Sequence, residues 1–226
     1  MYKEMTLTEF LEAVSSEKAE PGGGGVAAFV AALGASLSRM VINLTVSKKE
    51  YENVKAELNS INESLGILSA QYLDDIRKDD IAFMEFLDCL AFPKSNEEEK
   101  ALRSEKLQNA LKNAAKVPFE LGKKAYDTME FIEKVIEKGN KQAITDGMIS
   151  AMLIRCAVLS AFLNVKINLK SIKDKDFVND MKEKIEYMEK DIIEREKNIL
   201  NINFWFIFNL NKNIAKNNKF LAIFLF

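Results

Sequence analysis

The sequence predicts an all-α protein, built as a bundle of long helices. Only three prolines and nine glycines interrupt 226 residues, so few breaks are available to the chain. Apolar side chains recur at spacings of three and four over long stretches, as the buried face of a helix requires. With 48% hydrophobic and 29% charged residues, those stripes can close a sizeable core while the opposite faces stay solvated.

Thr6 and Glu9 form a capping box, with Met5 and Phe10 as a hydrophobic staple. A short helix therefore starts near Leu7 and ends by Ser15-Ser16-Glu17-Lys18, before Pro21. The second helix runs from about Gly25 to Val46. It is nearly long enough to span a bilayer, but Ser36, Ser38, Arg39 and Asn43 interrupt it, which makes a buried central helix the better reading. A third helix is expected from about Glu50 to Leu90, with Val54, Leu58, Ile61, Leu65, Leu68, Tyr72 and Ile76 on one stripe. Continued stepping gives Asp79, Phe83, Leu87 and Leu90, so a carboxylate occupies a seam position; Asp80 is turned away by roughly 100°. Pro93 ends that segment, and Ser95 with Glu98 reads as a second capping box. The fourth helix carries Leu102, Leu107, Leu111 and Ala114 and is expected to kink or break at Pro118. Its pattern resumes at Leu121 and ends at Gly139, a left-handed cap by composition. Another apolar helix runs from about Gln142 to Val165, and an amphipathic outer helix covers 175–200. Residues 1–200 thus form one helical domain. Residues 201–226 differ in kind, with no Asp or Glu, the only Trp and six of the fifteen Phe. Their apolar blocks at 204–208 and 220–226 are too short to cross a membrane, and they read as an extension foreign to the domain, or else as a membrane-surface anchor.

Composition excludes several classes of function. A net charge of −2 gives no electrostatic footprint for nucleic acid. Histidine is absent, which removes His-activated nucleophiles and His metal ligands. Proton transfer then falls to carboxylates, Lys, Tyr or Cys, and no metal site is expected. Cys89 and Cys156 lie far apart in apolar runs and read as reduced core thiols of a cytoplasmic protein. Lys3 and Glu4 stand where a signal peptide would carry its apolar core.

Four groups could carry chemistry. Pro21-Gly22-Gly23-Gly24-Gly25 leaves bare amides at the positive end of a helix, where an anion or a flat heterocycle can approach; the plainer alternative is a flexible turn. Asp79 on an apolar stripe loses solvation, so its carboxyl should titrate nearer neutrality, unless it only bonds a neighbouring helix. Asp146 and Asn164 share a helix face but lie about 27 Å apart, so they serve opposite ends of a long ligand or act across a subunit interface. Asn164 and Asn168 could hold a hydrogen-bonding ring or merely tie helices together. Lys48, Lys49 and Tyr51 could meet a ligand carboxylate, with a solvated junction as the alternative.

Taken in order, several short motifs resemble the cyclodeaminase/cyclohydrolase family. They are Glu20-Pro21 with the glycines and Val26-Ala27-Ala28, Leu44 to Tyr51, Asp79 to Phe83, Leu90 to Lys94, Val117-Pro118, Gly139-Asn140, Thr145-Asp146 and Asn164 to Asn168. Each piece is weak, but the ordered set spans about residues 5 to 200. Gly25 departs from the pattern, since many relatives have Ser there. The resemblance implies an all-α obligate homodimer acting on a folate, with or without a polyglutamate tail. Members close an N5-formimino group onto N10, giving 5,10-methenyltetrahydrofolate and ammonia; related proteins hydrolyse the methenyl compound to 10-formyltetrahydrofolate. The resemblance further implies Asp79 as the catalytic acid and base, with Pro21, Gly22, Gly23, Gly24, Lys49, Asp146, Asn164 and Asn168 binding substrate. No cofactor beyond the folate substrate is implied, and a separate formimidoyltransferase would be a partner. A third reading is a helical interaction protein without catalysis, against which the glycine run and Asp79 argue.

Overall fold

The computed structural model describes residues 2–217, with side chains for residues 2–201. Its α-helices are α1 (Leu7–Val14), α2 (Gly23–Val46), α3 (Lys55–Leu90), α4 (Glu97–Lys138), α5 (Ile144–Leu169) and α6 (Lys175–Asn217). Single 3-10 turns cover Tyr2–Glu4, Lys49–Tyr51 and Lys141–Ala143, and no strand occurs among the described residues. The all-α expectation is met. Helices α2 to α5 form the core bundle, and α6 lies outside, chiefly against α5.

The α1 capping box is formed as expected: Thr6 Oγ1 accepts from the Glu9 amide at 3.2 Å, and Glu9 accepts from the Thr6 amide at 2.7 Å. At α4 the cap falls one residue later than expected. Asn96, not Ser95, accepts from the Glu99 amide at 2.8 Å, while Glu99 takes the Ser95 amide. Helix α3 begins at Lys55 rather than Glu50, because Lys49–Tyr51 is spent in a 3-10 turn. Gly139 has φ −78°, so it is no left-handed cap. Its missing side chain matters sterically: a Cβ there would stand 2.3 Å from the Val135 carbonyl.

Pro118 neither breaks nor ends α4, which runs unbroken from Glu97 to Lys138. Proline has no N–H for the carbonyl four residues earlier, so Ala114 loses its helical partner. Asn168 of α5 replaces it, donating Nδ2 to the Ala114 oxygen at 2.8 Å. The helix survives its proline because a neighbouring side chain satisfies the freed acceptor.

Small residues let α2 and α5 pack closely and antiparallel. Gly34 faces Ile154 and Leu153, where a Cβ would have only 3.0–3.3 Å. Ser38 and Ser150 bond at 2.7 Å, and Ser150 also donates to the Gly34 carbonyl. Both helices are long and apolar enough to cross a membrane by length and composition, with mean hydropathy 1.8 and 1.9. One face of each is consumed in the core; the other leaves Leu33, Met40 and Leu44 on α2, and Ile149, Met152, Leu163 and Ile167 on α5, exposed. The α6 stripe buries Met181, Ile185, Met188, Ile192 and Ile199 as its spacing predicts.

Three expectations change. The α3 stripe buries Leu58, Ile61, Leu65, Tyr72 and Ile76, with Val54 and Leu68 half-buried, but Phe83, Leu87 and Leu90 are exposed, because the last turns of the helix outrun the core. Cys89 is half-buried and Cys156 exposed, so neither thiol is a core residue. Helix α6 carries its backbone past residue 200 to Asn217; the side chains at 204–208 and all of 220–226, read as an extension or surface anchor, lie outside the described residues.

Candidate active site

Three elements meet at one end of the bundle: the start of α2, the third quarter of α3 and the end of α5. They enclose a cavity of about 380 Å³ whose walls include Glu20, Gly22, Gly23, Asp79, Asn164 and Asn168. That size suits a small-molecule site. Phe83, Phe86 and Ile167 supply its apolar surface. A larger cavity of about 770 Å³ lies behind Asp80, but only the smaller one joins the glycines, Asp79 and both asparagines.

The glycine run is not a loop. Gly23, Gly24 and Gly25 form the first turn of α2, with Gly22 as an N-cap that offers no side chain. Their bareness serves helix packing first. A Cβ on Gly24 would stand 2.3 Å from both Asp79 oxygens, and one on Gly25 would stand 3.2 Å from Ile76 Cγ2. The carboxylate of α3 thus lies on the backbone of α2, and the Gly25 amide donates to it. The anion expected at this helix N-terminus is therefore supplied by the protein itself. Gly23 is the open position, since a Cβ there meets Asn164 only at ordinary contact, 3.5 Å.

Burial, and then the negative charge of Asp80, push the Asp79 carboxyl up to about 6; Glu20 adds to the rise, and the Gly25 amide opposes it. Asp80, turned by roughly 100° from the Asp79 stripe, is buried as well. It is 7% exposed, because Tyr2 folds over that side of α3 and donates its hydroxyl to Asp80 Oδ2.

Both asparagines reach the cavity, and Asn168 also ties α5 to α4. Asn164 Nδ2 donates to the Ser160 carbonyl at 3.0 Å. Asn168 Nδ2 donates to Ala114 and to the Asn164 carbonyl, so both of its amide hydrogens are spent on backbone. Pro21, expected at the site, lines an adjoining cavity of about 640 Å³, and Gly24 stands behind Asp79 rather than on the wall. Lys49 and Asp146 are not brought to this cavity by the single chain. They sit at the opposite end of the bundle, where Lys48 Nζ donates to Gln142 Oε1 at 3.0 Å. Sequence reasoning missed Tyr2, and it missed the role of Asp80, for which the adjacent acidic pair was the available signal.

A helical bundle with a half-buried carboxyl pushed up to about 6, lodged in a cavity beside a second, buried acid, is the arrangement of an acid–base enzyme. The formiminotransferase-cyclodeaminase family model matches residues 6–187, and the chain belongs to that family. A methenyltetrahydrofolate cyclohydrolase of Methylorubrum extorquens is 36% identical over 181 residues, covering 80% of this chain and 87% of its own length. The formimidoyltransferase-cyclodeaminase of Rattus norvegicus is 30% identical over 192 residues, 85% of this chain but 35% of the rat protein. The crystal structure of formiminotetrahydrofolate cyclodeaminase from Thermotoga maritima superposes with a TM-score of 0.82 at 33% identity, covering 92% of this chain and all of the other.

Proposed function

We propose that this protein converts 5-formimidoyltetrahydrofolate to 5,10-methenyltetrahydrofolate and ammonia, with Asp79 as the proton relay. The observation that carries the reading is the Asp79 carboxyl, held on the Gly24 backbone inside a cavity walled by Asn164 and Asn168. N10 and the formimidoyl carbon belong to one molecule, so folding the substrate into contact supplies much of the rate. N10 attacks the carbon of the protonated formimidoyl group, forming the new C–N10 bond. Ionised Asp79 takes the N10 proton and hands it to the departing nitrogen. The C–N bond then breaks, ammonia leaves, and the carboxylate is regenerated with the methenyl cation as product. A carboxyl titrating near 6 is largely ionised at neutral pH yet basic enough for both transfers. The chemistry needs no cofactor.

The second reading is methenyltetrahydrofolate cyclohydrolase, favoured by the Methylorubrum relative matched over most of its length. Water would then attack the bridging carbon while Asp79 accepts its proton and hands it to N5; the C–N5 bond would break as the new hydroxyl becomes the formyl carbonyl and releases its proton to solvent. Purified protein assayed for ammonia release from the formimidoyl substrate, and for loss of methenyl absorbance, separates the two. Turnover of neither substrate would overturn both readings.

Asp146 lies roughly 27 Å along α5 from Asn164, and Lys49 lies beyond the far end of α2, too far for one chain to use them in the cavity. We propose that they complete the site of a second copy in a homodimer formed on the exposed apolar residues of α2 and α5, extending each groove toward the glutamate end of the folate. A formimidoyltransferase acting upstream is then the partner that supplies substrate.

A further inference from the structure

Helix α3 carries two buried carboxylates with opposite treatment. Asp75 has a lysine on each oxygen: Lys78 at 2.7 Å and Lys124 at 2.6 Å. Asp80 has none among the described residues. Its Oδ2 accepts from the Tyr2 hydroxyl, and its Oδ1 is buried with no hydrogen-bond partner among them. Such an oxygen is costly, and an apolar side chain would fill the position at less expense. The contact is also built from a distance in sequence. The Tyr2 ring stands edge-on to Phe10, Phe10 packs on Phe29 of α2, and Lys3 Nζ pairs with Asp74 at 2.5 Å. An N-terminal clasp thus holds an uncompensated negative charge beside Asp79.

We propose that Asp80, clasped by Tyr2, is a positioning residue whose fixed buried charge tunes the basicity of Asp79. The inference rests on Asp79 being the proton relay. Nothing cationic on the cavity wall competes with it: α4 contributes Ala114, α5 contributes Asn164, Ile167 and Asn168, and the loop before α2 contributes Glu20, a further acid. On the far side of Asp80 the charged groups are Lys3, Asp74, Arg77, Glu85 and Asp88. Lys3 is occupied by Asp74. Burial pushes the Asp80 carboxyl up and the Tyr2 hydroxyl pulls it back, and the negative charge of Asp80 adds to burial in raising Asp79.

The test is the pH dependence of kcat/KM for whichever folate substrate turns over, compared in wild type, Asp80→Asn, Tyr2→Phe and Asp79→Asn. Asp80→Asn should move the acid limb to lower pH by about half a unit or more and lower the plateau kcat severalfold, as a weaker base requires. Tyr2→Phe should shift the limb in the same direction by less. Glu63→Gln removes an exposed charge from the same helix, away from the clasp, and should leave the limb in place. A profile for Asp80→Asn that superimposes on wild type, with Asp79→Asn still inactive, overturns the role of Asp80 alone. Retained activity in Asp79→Asn would instead overturn the relay itself. Circular dichroism of each variant separates a titration effect from a lost fold, and Asp80→Glu should return the limb toward wild type.

Discussion

Gly24→Ala isolates the dependence of turnover on the placement of one carboxyl group. An added Cβ would stand 2.3 Å from each Asp79 oxygen and 2.4 Å from Cγ, more than an ångström inside ordinary contact. Gly24 is locked in the first turn of α2, so the end of the aspartate side chain is the part that gives way. Displacing a reacting group by about 1 Å costs on the order of 100-fold in rate. The fold should not suffer, because Ala in place of a helical Gly gains up to about 1 kcal/mol, offsetting the local crowding. Steady-state kinetics and a thermal melt together read the outcome: kcat falls about two orders of magnitude with Tm nearly unchanged. Gly23→Ala is the matched control. Its Cβ meets Asn164 at an ordinary 3.5 Å and projects toward the cavity, so KM should rise while kcat stays within a few-fold. Wild-type kcat in Gly24→Ala, or an equal loss of kcat in Gly23→Ala, would refute the geometry.

Asp79→Asn should abolish most turnover and stabilise the protein at neutral pH. The folded carboxyl titrates at about 6 against an ordinary 3.8, so between those values the native state binds more protons than the unfolded state, and stability falls as pH rises. The neutral amide removes that loss, a gain of roughly 1–3 kcal/mol above pH 6 that disappears below pH 4, read by denaturant titration at both pH values. Asn168→Ala should cost about 1–3 kcal/mol by orphaning the Ala114 carbonyl, and Pro118→Ala in the same chain should recover part of it by restoring a helical N–H. No recovery would mean that the asparagine acts elsewhere. Leu163→Glu, at a side chain 65% exposed in the single chain, should leave helicity intact and convert a dimer to a monomer in sedimentation. A monomeric wild-type protein would remove the interface.

The cavity was legible in the sequence only in part. Asp79 stood out because an acid interrupted a run of apolar side chains spaced for one helical face, and the structure places it against the glycines. The reason for those glycines was not legible. Bare amides suggested a ligand, whereas the bareness of Gly24 and Gly25 first lets α3 approach. The burial of Asp80 was not legible because a helical wheel knows only its own helix, and Tyr2, 78 residues earlier, covers that side of α3. That α4 would run on through Pro118 was not legible for the same reason: the bond that replaces the lost one comes from Asn168, 54 residues later along the chain from Ala114.

By itself, then, the chain determined what depends on near neighbours. Helix number and type follow from three- and four-residue spacing, and the start of α1 follows from a cap within three residues. The tertiary structure alone decided what depends on contacts between distant segments. These are whether a proline is tolerated, that the second of two adjacent acids is buried too, and that Gly23, Asp79 and Asn164 meet while Lys49 and Asp146 lie at the other end. The physical reason is range. Backbone geometry and capping act over one helical turn, whereas desolvation and charge depend on which surfaces packing brings together.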